Sequence, residues 1–397
     1  MSRTRAYFDH NATTPLRAEV LEGLRAALEE TYGNASSIHR DGQRARQLVE
    51  EARRKVAVFL NADPREIVFT SGGTESDNTA IFGVVAASEG SRKHVVTTTI
   101  EHPAVLNACE RLEQLGIDVS YVPVDASGVV NPADLEAALR PETVLASVMH
   151  ANNETGALQP IPEIASVCHR AGVPLHVDAV QSCGKARVDC GTLGADMLSL
   201  SAHKLYGPKG VGVLWIRKGT PFAKLLYGGH HERDRRPGTE NVPGIHALGI
   251  AVSRCQVEWE AEAERLRELR DHLESLLLSR VEGVSVNAGG STRLPNTSNV
   301  RIDGVEGEPL VIALDLRGFA VSSGAACSSG SVEPSHVLTA IGLSREQARS
   351  CIRISLGMSN TREQVEALAG AIEDSVGHLR RIAPAAGSRV SAGGGSQ

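Results

Sequence analysis

The chain has 397 residues, long for a single small core, and this length points to two or three domains. Its net charge at pH 7 is −6, from 41 basic and 47 acidic residues, which gives no electrostatic case for nucleic acid or an anionic membrane. The longest apolar runs, at 210–216 and 309–316, fall far short of the roughly 20 residues that span a bilayer.

No signal-type apolar stretch follows the first residues, so a cytoplasmic protein is expected. From about residue 65 to 216, short β-branched runs alternate with helical patterns. Strands are predicted at 66–70, 94–98, 118–122, 144–149, 175–178, 197–200 and 211–216, with helices at 74–88, 104–114, 132–139 and 162–171 between the first five. The alternation reads as an α/β domain with a largely parallel sheet. Residues 256–280 form a long helix, with Trp259, Ala263, Leu266, Leu269, Leu273 and Leu276 at three- and four-residue steps; it reads as a connection between domains. Strands at 284–286, 299–302, 320–322 and 351–355, with helices at 308–316 and 362–380, then describe a smaller α+β domain. The tail 383–397 is rich in Gly, Ala and Ser and is expected to be disordered.

Ligands of parallel sheets sit at the carboxyl ends of the strands, so the residues after each strand carry the chemistry. Ser71-Gly72-Gly73-Thr74-Glu75-Ser76 follows the first strand and opens a helix. Its glycines let a ligand approach the backbone and its free N–H groups suit a phosphate, although an ordinary capped helix start reads the same way. The spacing matches neither a Walker A loop nor a dinucleotide fingerprint. Glu101-His102-Pro103 closes the second strand, where a neutral imidazole is either structural or able to stack on a planar cofactor and move protons. His150-Ala151-Asn152-Asn153-Glu154 brings two amides to another end. Asp178 precedes Ala179-Val180-Gln181, and Ser201-Ala202-His203-Lys204 puts a lysine just after a strand. Arg233-Asp234-Arg235-Arg236 is either a solvated loop or a small-anion contact.

Taken pairwise, the lysine and the acid make a salt bridge. Taken together, the strand ends fit one ligand, pyridoxal phosphate. The lysine forms its Schiff base. The aspartate keeps the pyridine nitrogen protonated, so the ring can accept electrons. The hydroxyls and the helix N-terminus take the phosphate.

Seven cysteines (109, 168, 183, 190, 255, 327 and 351) contain no C-x-x-C pair, which suggests neither a disulfide framework nor a metal site. Most read as packing thiols, Cys183 and Cys190 among them. Cys327 differs, because Ser322-Ser323-Gly324-Ala325-Ala326 and Ser328-Ser329-Gly330-Ser331 surround it with small, polar residues. This describes an exposed, mobile loop able to deliver a sulfur atom. An ordinary thiol, with a pKa of about 8.5, is only slightly ionised at neutral pH. The loop holds no Lys, Arg or His, so activation must come from an assembled site, with His102 the leading candidate.

These motifs together resemble the cysteine desulfurases of the iron–sulfur-assembly type (NifS/IscS-like), class V members of the fold-type I pyridoxal-phosphate enzymes. The resemblance runs from Tyr7-Phe8-Asp9-His10-Asn11-Ala12-Thr13-Thr14-Pro15 to about Arg380. It includes the strand-end motifs, Arg236-Pro237-Gly238-Thr239-Glu240-Asn241, the Cys327 loop and Arg353 in Cys351-Ile352-Arg353-Ile354-Ser355. It implies an α/β transferase fold of type I. A large domain over 16–255 would hold a mostly parallel seven-stranded sheet, and a smaller α+β domain over 256–382 would carry the Cys loop at about 320–334. The segment 1–15 would pack with the small domain.

By the same resemblance, Lys204 bonds the cofactor, Asp178 holds its pyridine nitrogen and Gln181 contacts its ring oxygen. His102 stacks on the ring and acts as acid–base. Gly73, Thr74, Ser201 and His203 bind the phosphate, together with Thr239 from the other subunit of a homodimer with shared active sites. Asn153 and Arg353 hold the carboxylate of L-cysteine. Cys327 takes the sulfur as a persulfide, alanine leaves, and the sulfur passes to an acceptor such as an iron–sulfur scaffold or a thiolation protein. Selenocysteine lysis or another class V reaction is the alternative within enzymes, and a cofactor-binding docking platform is the alternative outside them. Ala325 and Ser328 stand where the family often has serine and threonine, and both keep the loop small.

Overall fold

The computed structural model describes residues 5–323 and 334–382, so Cys327 and the tail 383–397 lie outside the described residues. In chain order the strands are β1 Ala6–Tyr7, β2 Ile67–Thr70, β3 His94–Thr98, β4 Asp118–Val122, β5 Thr143–Met149, β6 Leu175–Asp178, β7 Met197–Ser201 and β8 Gly212–Ile216. After these come β9 Val284–Val286, β10 Thr297–Ile302, β11 Phe319–Ala320, β12 Ser322–Ser323 and β13 Cys351–Ser355.

Seven strands form one sheet in the order β2-β8-β7-β6-β5-β3-β4. From β7 to β4 all pairs are parallel, while β8 is antiparallel to both β7 and β2. Two reversals restore direction, so β2 runs with β7. The carboxyl ends of β2, β3, β5, β6 and β7 therefore share one edge, which is the expected mostly parallel fold with its motif-bearing ends gathered. Continuous burial of β2, β3, β6, β7 and β8 follows from cover on both faces of the sheet.

The sequence reading assigns no helix before residue 66, whereas the structure has two, Ala18–Glu30 and Arg40–Leu60. The second buries Ala45, Val49, Ala52, Val56 and Leu60 at helical spacing against the main core. The helix expected at 256–280 is a single helix of 39 residues, Val242–Arg280, with Pro243 in its first turn and Asn241 accepting from Gly244 N at 3.2 Å. Its first half packs Ile245, Leu248 and Val252 on the main core. Its second half packs Leu266, Leu269, Leu273 and Leu277 on another core, with Phe8, Val300, Ile352, Ile354 and Ile372.

That second core sits on the antiparallel sheet β12-β13-β10-β9. The single strand predicted at 320–322 is two: Ala320 pairs with Tyr7, then Ser322 pairs with Arg353. The chain changes partners at Val321, which ties the N-terminal segment to β13. Among the described residues no helix is long and apolar enough to cross a membrane, and no group of three His, Cys, Asp or Glu side chains is placed to hold a metal ion.

One buried ion pair locks the loop before Val242 to the sheet. Arg53 reaches Glu232 through two bonds of 2.7 and 2.8 Å, donates to Ile67 O at 2.8 Å, and Phe69 N donates to Glu232 at 2.9 Å. Glu232, Arg233 and Asp234 all adopt positive φ there, a conformation that L-residues resist and that these bonds must hold. Arg53→Met leaves the Glu232 carboxylate buried without its cation. It should lower unfolding free energy by about 3–5 kcal/mol, read from urea denaturation midpoints.

Candidate active site

The five strand ends enclose a cavity of about 250 Å³ whose lining includes Gly73, Thr74, His102, Asn153, Asp178, Gln181, Ser201, His203 and Lys204. After β2 the chain turns directly into the helix Gly73–Ala87. A Cβ at Gly73 would stand 2.7 Å from Val180 Cγ2, so only glycine lets the helix start press on the loop after Asp178. Gly212 on β8 is equally constrained, since a Cβ there would meet Gly72 Cα at 2.6 Å. Glu75 closes this turn: its carboxylate accepts from Ser71 N at 2.8 Å and from Arg236 Nε at 2.8 Å. The basic cluster is thus committed to protein groups, with Asp234 on Lys224 and Arg233 near Glu50.

After β3, His102 caps the helix Pro103–Gln114, its Nδ1 accepting from Ala104 N at 3.1 Å. That bond leaves the proton of the neutral ring on Nε2. Burial and the Lys204 and His336 charges lower its pKa against the opposing pull of Asp178, so the ring is neutral at pH 7. Glu101 beside it is wholly buried, accepting from Thr98 Oγ1 at 2.7 Å and Met149 N at 2.9 Å, and burial pushes its carboxyl up to about 8.

After β5, Asn152 is a turn-former, its Oδ1 accepting from the backbone of Glu154 and Thr155. Asn153 lines the cavity, and its carbonyl accepts from Arg353 NH1 at 3.1 Å. Asp178 ends β6, and its Oδ1 accepts from Val180 N at 2.9 Å. Burial raises its pKa, while His102, the Val180 N–H and Lys204 pull it down.

Lys204 follows β7 on a short turn, Ala202–Lys204. Its Nζ donates to Asn11 O, and to Ala12 O at 2.9 Å. Burial, then the charges of Lys185 and Arg353, bring its pKa down to about 7. A substantial share of the amine is therefore available as a neutral nucleophile near neutral pH, which is not so for an ordinary lysine. These residues fit a planar phosphorylated pyridine: a poised amine, a buried acid on the adjacent strand, a neutral imidazole, and a helix start that glycine keeps open.

A family model for aminotransferase class-V matches residues 6–368. The cysteine desulfurase IscS of Dictyoglomus turgidum is 48% identical over 378 residues, covering 95% of this chain and 96% of its own. The cysteine desulfurase IscS of Methanosarcina thermophila is 45% identical, covering 95% of this chain and 93% of its own. Among solved structures, a NifS-like protein superposes with a TM-score of 0.89 at 39% identity, over 94% of this chain and 100% of that one. A structure of SspA in complex with cysteine gives 0.79 at 38% identity, over 89% and 99%. The chain belongs to the class-V aminotransferases, among the NifS/IscS-like cysteine desulfurases.

Not every expected residue of a desulfurase site meets in this cavity. Arg353 is 3% exposed and lies one step away, its NH2 on Asp9 Oδ1 at 2.8 Å. Thr239 lines a separate cleft with Ser71 and Arg236. Cys327 lies outside the described residues. Cys183 and Cys190 are buried, and burial raises both thiols.

Three contributors escape the sequence reading. Asn11 and Ala12 act through backbone carbonyls, which no side chain advertises. Asp77 lines the cavity from inside the helix Gly73–Ala87, beyond the strand ends inspected, and burial, then the Asp178 charge, pushes its carboxyl pKa up.

Glu101 yields a pH test. In the folded chain it keeps its proton up to about 8, whereas the unfolded carboxyl loses it near 4.5. Wild-type stability should fall as pH rises between those values and level off above them. Glu101→Gln has no proton to lose, so its thermal midpoint should gain on wild type across that window. Parallel wild-type and variant curves would contradict the assignment.

Proposed function

We propose that this desulfurase draws sulfur from L-cysteine at the 250 Å³ cavity, stores it on Cys327 and passes it to an acceptor protein. The observation that carries the reading is the Lys204 amine, brought to about 7, in the same cavity as the buried Asp178 on the adjacent strand. Pyridoxal phosphate, bound there, supplies an electron-accepting ring that weakens the substrate's bonds at Cα and, through it, the Cβ–sulfur bond.

Lys204 would hold the cofactor and would take and return the proton at the substrate Cα. Its depressed basicity suits both tasks at neutral pH. Asp178 would pair with the cofactor's ring nitrogen, a bound cation that would keep its carboxyl ionised. Gln181, which lines the cavity, would contact the ring oxygen. Gly73, Thr74, Ser201 and His203 hold the phosphate, joined by Thr239 of the partner subunit. Asn153 and Arg353 hold the substrate carboxylate, for which the planar guanidinium is a bidentate match.

His102, with a proton on Nε2 and a lowered pKa, would pack against the cofactor and manage protons at the sulfur. Cys327 attacks as thiolate: its sulfur bonds the substrate sulfur while the Cβ–sulfur bond breaks. The electron pair stays with carbon, which is protonated and leaves as alanine.

The chain is read as a large domain over 16–255, a small domain over 256–382, and a segment 1–15 packed with the latter. The two cores along the helix Val242–Arg280 support this division. A homodimer is supported by large apolar side chains left open at Leu21, Leu28, Tyr32, Ile38, Leu226 and Tyr227, before and beside the Thr239 loop. The acceptor belongs to iron–sulfur assembly or to thiolation, and the reaction takes place in the cytoplasm.

Incubation with L-cysteine should add one sulfur atom to Cys327, seen by peptide mass spectrometry, and release alanine. Cys327→Ala should lose sulfide release in dithiothreitol by at least about 100-fold, and Lys204→Ala should lose alanine formation to at least the same degree. Wild-type rates in either variant would overturn the role given to that residue.

A further inference from the structure

Lys204 is a wall between two spaces. On one side is the cavity described above. On the other is an enclosure of about 30 Å³, lined in part by Lys185, Tyr206 and Cys255. Lys185 stands in the tight loop that follows Asp178, where Cys183 N bonds Ala179 O at 3.0 Å and Lys185 N bonds Ser182 O at 3.0 Å. It is 8% exposed, and among the described residues no carboxylate lies within ion-pair distance of its nitrogen.

The groups around it are the Cys183 and Cys255 thiols, His10, His203, Lys204 and Arg353. Across the enclosure Glu258 is paired with Arg17 at 2.7 Å and Glu262 with Arg265 at 2.8 Å. A lysine buried without a counter-ion is costly and needs a reason.

Its hydrogen bonds supply one. Nζ donates to Gln181 O at 3.1 Å and to Gln181 Oε1 at 3.3 Å. An ammonium has donors and no acceptor, so it obliges the Gln181 amide to turn its oxygen this way. Gln181 Nε2 then points the other way and donates to Asn11 O at 2.9 Å, the same carbonyl that receives Lys204 Nζ. One amide and one carbonyl thus join the two amines.

We propose that Lys185 is a positioning residue of this site: it fixes the Gln181 amide with its N–H side toward Asn11 and Lys204, and it places a second positive charge behind Lys204. The inference rests on Lys204 being the lysine that bonds the cofactor. Burial lowers Lys185 itself to about 8, so its charge is present at and below neutral pH. After burial, that charge is the leading influence holding Lys204 down.

The test is a pH titration of the visible absorbance of the lysine-bound cofactor in holoenzyme, without substrate. Removing a neighbouring cation favours the protonated nitrogen, so in Lys185→Met the midpoint should rise by about one pH unit. Lys185→Arg keeps the charge and the donors and should titrate like wild type. Lys185→Gln drops the charge but keeps a donor, and it must rise as the Met variant does, which maintains the test if Lys185→Met folds poorly. An unmoved midpoint in the neutral variants, or an Arg variant that moves with them, overturns the proposal. Survival of the absorbance in Lys204→Ala would strike the assignment of Lys204 and overturn both readings, an outcome distinct from the other two.

Discussion

A lysine amine taken out of water without a carboxylate to pair with is the constraint on which the site depends. Among the described residues Lys204 Nζ hydrogen-bonds the Asn11 and Ala12 carbonyls, while Lys185 and Arg353 add like charge nearby. Burial and these like charges disfavour the ammonium against the opposing pull of Asp178, Asp9 and the two carbonyls, and the balance yields an amine ready to bond a carbonyl carbon. Asp178 on the next strand is under the opposite pressure: burial disfavours its carboxylate, and a cation in the cavity would restore it. The site is built to be completed by a ligand that answers both groups.

Holding such groups together requires a rigid frame, and the sheet provides it. The antiparallel excursion through β8 returns β2 to the direction of β7, which brings the Gly73 helix start to the same edge as Asp178 and Lys204. The N-terminal segment crosses from β11 to that edge, closing Lys204 with its carbonyls and binding Arg353 through Asp9. The long helix Val242–Arg280 links the two cores, packing its first half on one and its second half on the other.

Much of this was legible in the residues. Period-two and helical runs located the seven strands of the main sheet, and strand-end logic led to His102, Asp178 and Lys204. What was not legible acts through backbone or through distant pairing. Asn11 and Ala12 contribute carbonyls, Asp77 sits a turn inside a helix, and Lys185 looks like any surface lysine until its loop folds inward. The helix Arg40–Leu60 carries a clear apolar stripe, but its dense charges, from Arg40 to Lys55, mask it. Arg53 and Glu232 are 179 residues apart, a separation that no local pattern bridges. Arg353 is legible as a guanidinium on a strand, whereas its hold on Asp9 is a product of the fold.

The central claim is that Lys204, rather than the more deeply buried Lys185 behind it, bonds the cofactor. Borohydride reduction of the pyridoxal-phosphate-loaded protein fixes the cofactor to the lysine that holds it, and peptide mass mapping then reads the position. The account predicts the modified peptide to contain Lys204 and the Lys185 peptide to remain unmodified. Cofactor fixed on Lys185, or on neither lysine, would contradict it.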